Sequence, residues 1–216
     1  MTTLSPARLP AWAHTALRLL AIAVVFGIAG YGVGWLLAER FPDAGALPDF
    51  RWADLAAGGL ALVLVVAAVS TLIASLSPVR LGRLLKLEGP AGAREISDAR
   101  LQALVFGLSG VIMAMPMAIA ALGVSPLAGL LAVGVLLAIH TALNLKAWRG
   151  GDELIRRVVT DSASVTFWLG QGLLFVWAAA ERLGAAPVLT AWDAYVVLMG
   201  LYLTVSMVMT IRRGLA

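Results

Sequence analysis

The sequence contains no cysteine, which excludes disulfides, thiolate catalysis and cysteine-ligated metal centres. Charge is scarce. Asp, Glu, Lys and Arg make up 13% of the residues, where a soluble domain carries about a quarter. Only two lysines, Lys86 and Lys146, and two histidines, His14 and His140, occur. No phosphate loop of the Gly-x-x-x-x-Gly-Lys-Ser/Thr kind is present, which excludes a primary pump acting alone. The strand-like alternation of a membrane β-barrel is absent too.

What is present is apolar. Hydrophobic residues reach 61% and the mean hydropathy is +0.94. A water-soluble fold of 216 residues keeps too much surface exposed to hide this. Lipid is the solvent that resolves the excess. Six apolar stretches, about 17–37, 55–76, 101–122, 127–148, 162–180 and 195–211, are long enough to cross about 30 Å of hydrocarbon as helices. None carries a charged side chain at mid-depth. Helices satisfy every backbone group within lipid. The sequence therefore predicts one all-α domain over 1–216, a polytopic bundle of six transmembrane helices. The first stretch exceeds the length of a cleavable signal core and reads as a retained span.

Charge placement predicts orientation. With the N-terminus inside, thirteen of the sixteen basic residues fall in inner segments, and only Arg40, Arg51 and Arg182 fall outside. The positive-inside rule then gives both termini cytoplasmic, in keeping with an even number of spans. Tryptophans agree, with Trp35, Trp52, Trp177 and Trp192 near the outer boundary and Trp12, Trp148 and Trp168 near the inner one. The preference for Arg over Lys and the abundance of Ala suggest a GC-rich bacterium, hence a bacterial inner membrane.

Local signals mark helix ends. Ser125-Pro126 reads as an N-cap with a first-turn proline, and Thr190 with Asp193 as a capping box. Asp152-Glu153 places acids at the start of the fifth helix, which begins in water before entering lipid. The inner stretch 77–100 opens with Arg80, Arg83 and Lys86 three apart and Leu81, Leu84 and Leu87 on another face. It reads as a short amphipathic helix contacting anionic lipid headgroups, with no role for nucleic acid. Trp35–Phe41 and Trp177–Leu183 share a Trp-Leu/Ala-Leu/Ala-Ala-Glu-Arg pattern, as a parallel repeat would, although interface chemistry alone accounts for it equally.

The candidate polar residues within the spans are Ser109, His140, Asn144 and Gln171. An ionisable group in a membrane helix is a functional candidate by default. Asn144 lies one turn from His140 on the same face, and Ser109 or Gln171 on another helix can complete its hydrogen bonding. With no cysteine and no carboxylate in the spans, neither a metal site nor another cofactor is expected. Pro116, set among Met113, Met115 and Met117, interrupts the third span and is the place to look for a kink or a solute path. Gly30, Gly34, Gly107 and Gly110 supply small-residue faces for close helix packing, within the chain or against other subunits or a second copy.

Two resemblances follow from these residues. Gly107-Leu-Ser109-Gly110 resembles the Gly-x-Ser-Gly nucleophile motif of rhomboid proteases, and His140-Thr-Ala-Leu-Asn144 resembles their oxyanion-holding His-x-x-x-Asn. The resemblance implies a serine nucleophile at Ser109, with His140 and Asn144 facing a developing oxyanion. The order of the two motifs is reversed here, and no histidine follows His140 to serve as the family's base. Gly151-Asp-Glu-Leu-Ile-Arg156-Arg157 resembles a stretch of small bacterial multi-span inner-membrane proteins and implies no activity. The expectation is a non-catalytic accessory protein or subunit of a membrane complex. A small permease or channel is the alternative, followed by an intramembrane hydrolase using Ser109 or His140.

Overall fold

The computed structural model describes residues 51–213. The chain divides into two units, 1–49 and 50–216. The expected first span, with Gly30 and Gly34, lies outside the described residues.

Every regular element among the described residues is a helix: α1 (Trp52–Ala74), α2 (Pro78–Leu84), α3 (Ala93–Ala121), α4 (Pro126–Gly150), α5 (Glu153–Arg182) and α6 (Ala191–Arg212). All but α2 are long and apolar enough to cross a membrane. Large apolar side chains on these helices point outward, among them Phe175 at 73% exposure and Leu127 at 70%. A surface of this kind suits hydrocarbon and not water.

The helix ends follow local chemistry. Ser125 caps α4 by accepting from the Ala128 N–H, and Pro126 occupies the first turn, where a missing N–H is harmless. Asp152 caps α5 by accepting from the Ile155 N–H at 2.7 Å. The capping box of α6 forms as the sequence predicts: the Asp193 N–H donates to Thr190 Oγ1, and the Thr190 N–H donates to Asp193 Oδ2. Two helices begin earlier than hydropathy suggests. α3 starts at Ala93 and α5 at Glu153, each about two turns ahead of its apolar run, because the polar first turns are themselves helical. Pro116 lies inside α3, and the helix continues through it to Ala121.

Packing centres on α1. Its face of Ala53, Ala57, Ala61, Leu64 and Ala68 is buried, and these positions recur at the three- and four-residue spacing of one helix stripe. This stripe lies along α3, and α1 also touches α6; α6 carries α5, and α3 carries α4. The helices therefore follow one another laterally in the order α4, α3, α1, α6, α5. Contact between α4 and α5 is slight, and Gly129 is the one buried residue of α4. Met113, 1% exposed, enters the core formed by Ala53, Ala57, Ala61 and Val196. The methionine cluster around Pro116 thus serves as gap-filling packing at the meeting of α1, α3 and α6.

The stretch 77–100 is folded onto the bundle. α2 is closed by a left-handed residue, Lys86 (φ 56°), with the Leu87 N–H donating to the Gly82 carbonyl and the Lys86 N–H to the Arg83 carbonyl. The amphipathic helix read from the sequence therefore stops at Leu84. Arg80 and Arg83 share it, while Lys86 lies beyond its end. Leu81 is fully buried against Ala91 and Ala99. The Ala91 N–H donates to the Pro78 carbonyl.

At the opposite end, α1 and α6 are tied by side chains. Arg51 donates to Asp193 Oδ2 at 2.6 Å and to Thr190 Oγ1 at 3.3 Å. Trp192 Nε1 donates to Asp54 Oδ1 at 2.9 Å. Asp193 is 1% exposed, so its charge is neutralised by a guanidinium that itself remains half exposed. Each helix N-terminus thus carries an acid in its first turn that also holds the neighbouring helix.

Candidate functional site

The structure joins three of the four polar residues picked out within the spans. The face of α3 that carries Gly107 and Gly110 turns to α1: a Cβ on Gly110 would lie 2.8 Å from the Ala61 carbonyl oxygen, and one on Gly107 would lie 3.5 Å from Ala68 Cβ. Ser109, offset from both, points to α4 instead. Its Oγ is 2.7 Å from His140 Nε2 and 2.8 Å from the Val105 carbonyl oxygen. Asn144 Nδ2 lies 3.1 Å from the His140 carbonyl oxygen, 3.3 Å from His140 Nδ1 and 3.0 Å from its Nε2. Gln171 is exposed on α5 and bonds to none of them.

The Val105 carbonyl oxygen can only accept, so the Ser109 hydroxyl is a donor to it. The roles of the two ring nitrogens follow the His140 tautomer: protonated at Nε2, the ring donates to Ser109 Oγ and accepts from Asn144 at Nδ1, whereas protonated at Nδ1, its Nε2 accepts from Asn144 at 3.0 Å. Nucleophilic chemistry needs the far ring nitrogen held by an acceptor. Neither a carboxylate nor a convergent pair of donors stands beside Ser109 among these contacts. What the arrangement does is bond α3 to α4, a kind of contact worth about 0.6 kcal/mol by double-mutant cycles in a membrane protein. Ser109→Ala should therefore lower the unfolding free energy in detergent by about that amount. The variant should remain folded.

The other sequence candidates fall at the two ends. Arg80 and Arg83 are exposed on α2, and Lys86 is exposed just after it. Arg94 on α3 reaches the Gly150 carbonyl at 3.3 Å, a cation at the C-terminus of α4. Arg100 donates to buried Ser75 at 3.5 Å, and Arg213 pairs with Asp161. Among the described residues no three side chains gather as metal ligands.

Two features escaped the sequence reading. Ser162, Thr166 and Gly170 form a buried small-residue stripe on α5 facing α6, where a Cβ on Gly170 would meet Leu198. Their four-residue spacing was the available signal. The reach of Arg51 to Asp193, across 142 positions, had no sequence signal at all. Two open hollows lie on the described surface. One is an apolar groove of about 450 Å³ between α1 and α6, floored by Gly59 and Gly200. The other, about 390 Å³, lies where α4 meets α5.

Neither a protein-family model, nor a curated protein, nor a solved structure matches this chain.

Proposed function

We propose that the chain is a six-span protein of a bacterial inner membrane, with both termini cytoplasmic, that serves as a non-catalytic subunit or accessory of a membrane assembly. The observation that carries this reading is the sparse cover of α4 among the described residues. Among the described residues it packs on α3 and only slightly on α5, and its outward surface bears exposed Asn144 beside His140. Asn144 lies about 9 Å along the helix from Gly150, within reach of the hydrocarbon. An amide facing lipid tails is costly, and a neighbouring helix relieves that cost. The groove between α1 and α6 adds a second surface of the same kind, because its small residues let another backbone approach. The hydrogen bonds that link Ser109 on α3 to His140 and Asn144 on α4 support a structural role over hydrolysis.

Purification in mild detergent followed by mass spectrometry tests the reading. A second membrane protein, or a second copy, should copurify at a fixed ratio. A lone monomer from native membranes would count against it. Gly59→Leu sharpens the test. A Cβ at Gly59 meets nothing within 4 Å, so the chain should fold normally while its recovered partner falls several-fold. Unchanged recovery would remove the groove from the interface. A fluorophosphonate probe should leave Ser109 unlabelled, and labelling lost in Ser109→Ala would revive the hydrolase. Solute flux in liposomes of the purified chain would favour a small permease.

A further inference from the structure

At the elbow where Gly150–Asp152 joins α4 to α5, one face of α5 looks into the hollow of about 390 Å³. Glu153, Arg156, Arg157, Thr160 and Asp161 recur there at three- and four-residue spacing, and Trp148 of α4 closes the other wall. The charges there do not all pair among the described residues. Asp161 is paired with Arg213, and Thr160 directs its hydroxyl to the Arg156 carbonyl. Neither Arg156 nor Arg157 has a carboxylate partner among the described residues, which leaves Glu153 as the one unpaired acid lining the hollow.

The hollow also has a defined depth. It lies one to two turns before the uncharged part of α5, which begins at Ser162. That is the level of headgroups, and Trp148 is the residue type that settles there. Exposed apolar surface starts within two turns on each side, with Leu145 on α4 and Val159 on α5. A ligand that matches all of this has a phosphate anion at one end and hydrocarbon at the other. We infer that the α4–α5 elbow is a binding site for an anionic phospholipid, with Arg156 and Arg157 holding the phosphate and Trp148 flanking the glycerol region. This site is separate from the exposed arginines of α2. It requires that the helices cross a membrane, and is independent of whether the chain is a subunit.

Guanidinium forks suit phosphate oxygens. Each basic residue at an anionic surface is worth about a five-fold gain in affinity. The test is native mass spectrometry of the full chain in detergent, titrated with phosphatidylglycerol or phosphatidylcholine. Wild type should retain phosphatidylglycerol preferentially. Arg156→Gln/Arg157→Gln should weaken that retention by about 30-fold, whereas Arg80→Gln/Arg83→Gln should leave it near wild type. Arg156→Lys/Arg157→Lys should retain most of it. Equal retention of the two lipids by wild type would overturn the site whether or not any variant folds. So would unchanged retention in a folded Gln variant. Displacement of the lipid by excess inorganic phosphate would overturn the lipid assignment and leave a free-phosphate site.

Discussion

Replacing Gly110 by leucine should destabilise the protein by about 3 kcal/mol, the upper range for overpacking a filled core. A Cβ there would sit 2.8 Å from both the Ala61 carbonyl oxygen and Val65 Cγ2, and 3.4 Å from Leu64 Cβ. The Ala61 oxygen belongs to the α1 backbone, so no side-chain rotation can make room. α1 and α3 must separate, and with them the central contact of the described bundle. Gly107→Ala is the control. Its new methyl meets Ala68 Cβ at 3.5 Å, an ordinary contact, so stability should hold or rise slightly. Denaturant titration in detergent, followed by circular dichroism, measures both. A Gly110→Leu protein as stable as wild type would mean that α1 and α3 do not pack as described.

The second large effect belongs to the basic end that carries α2. Leu81→Ala should cost about 3 kcal/mol of local stability, since the side chain is fully buried and the cavity left behind is walled by Ala91 and Ala99. Gly82→Ala should act through a different route. Its Cβ would fall 2.3 Å from the Gly89 carbonyl oxygen and 3.1 Å from the Ala91 nitrogen, both backbone atoms. Either change should release α2 from the bundle and make the segment 78–92 more readily cut by protease, while the long helices stay intact. Limited proteolysis of membrane vesicles with the inner face outward reads this directly. Resistance equal to wild type in both variants would contradict the docking of α2. The consequence is positional: Leu81 anchors the short helix that carries Arg80 and Arg83.

Much of the fold was legible because lipid imposes a simple rule. Long apolar runs must be helices, and caps such as Ser125-Pro126 and Thr190 with Asp193 mark their starts without reference to any other part of the chain. What hydropathy could not show is where a polar segment continues a helix. Residues 93–100 are charged, yet α3 begins there, whereas Asp152-Glu153 already marks the polar start of α5. The left-handed turn at Lys86 was hidden too, because lysine carries no signal for that conformation as glycine does. For the polar cluster, spacing placed Asn144 beside His140, since both lie on one helix. The bond to Ser109 needed the rotation of α3 against α4, which is set by Gly107 and Gly110 packing on α1. The Arg51–Asp193 pair was illegible for the same reason: it depends on which helices are neighbours.

The account rests on the described helices crossing a bilayer with their basic ends on one side. The absence of native cysteine allows a clean test by single-cysteine labelling in intact cells. Ala185→Cys, in the exposed connection between α5 and α6, should react with a membrane-impermeant maleimide added outside. Gly89→Cys, in the exposed turn after α2, should react only once the membrane is permeabilised. Labelling of both positions from the same side, or of Gly89→Cys in intact cells, would contradict it.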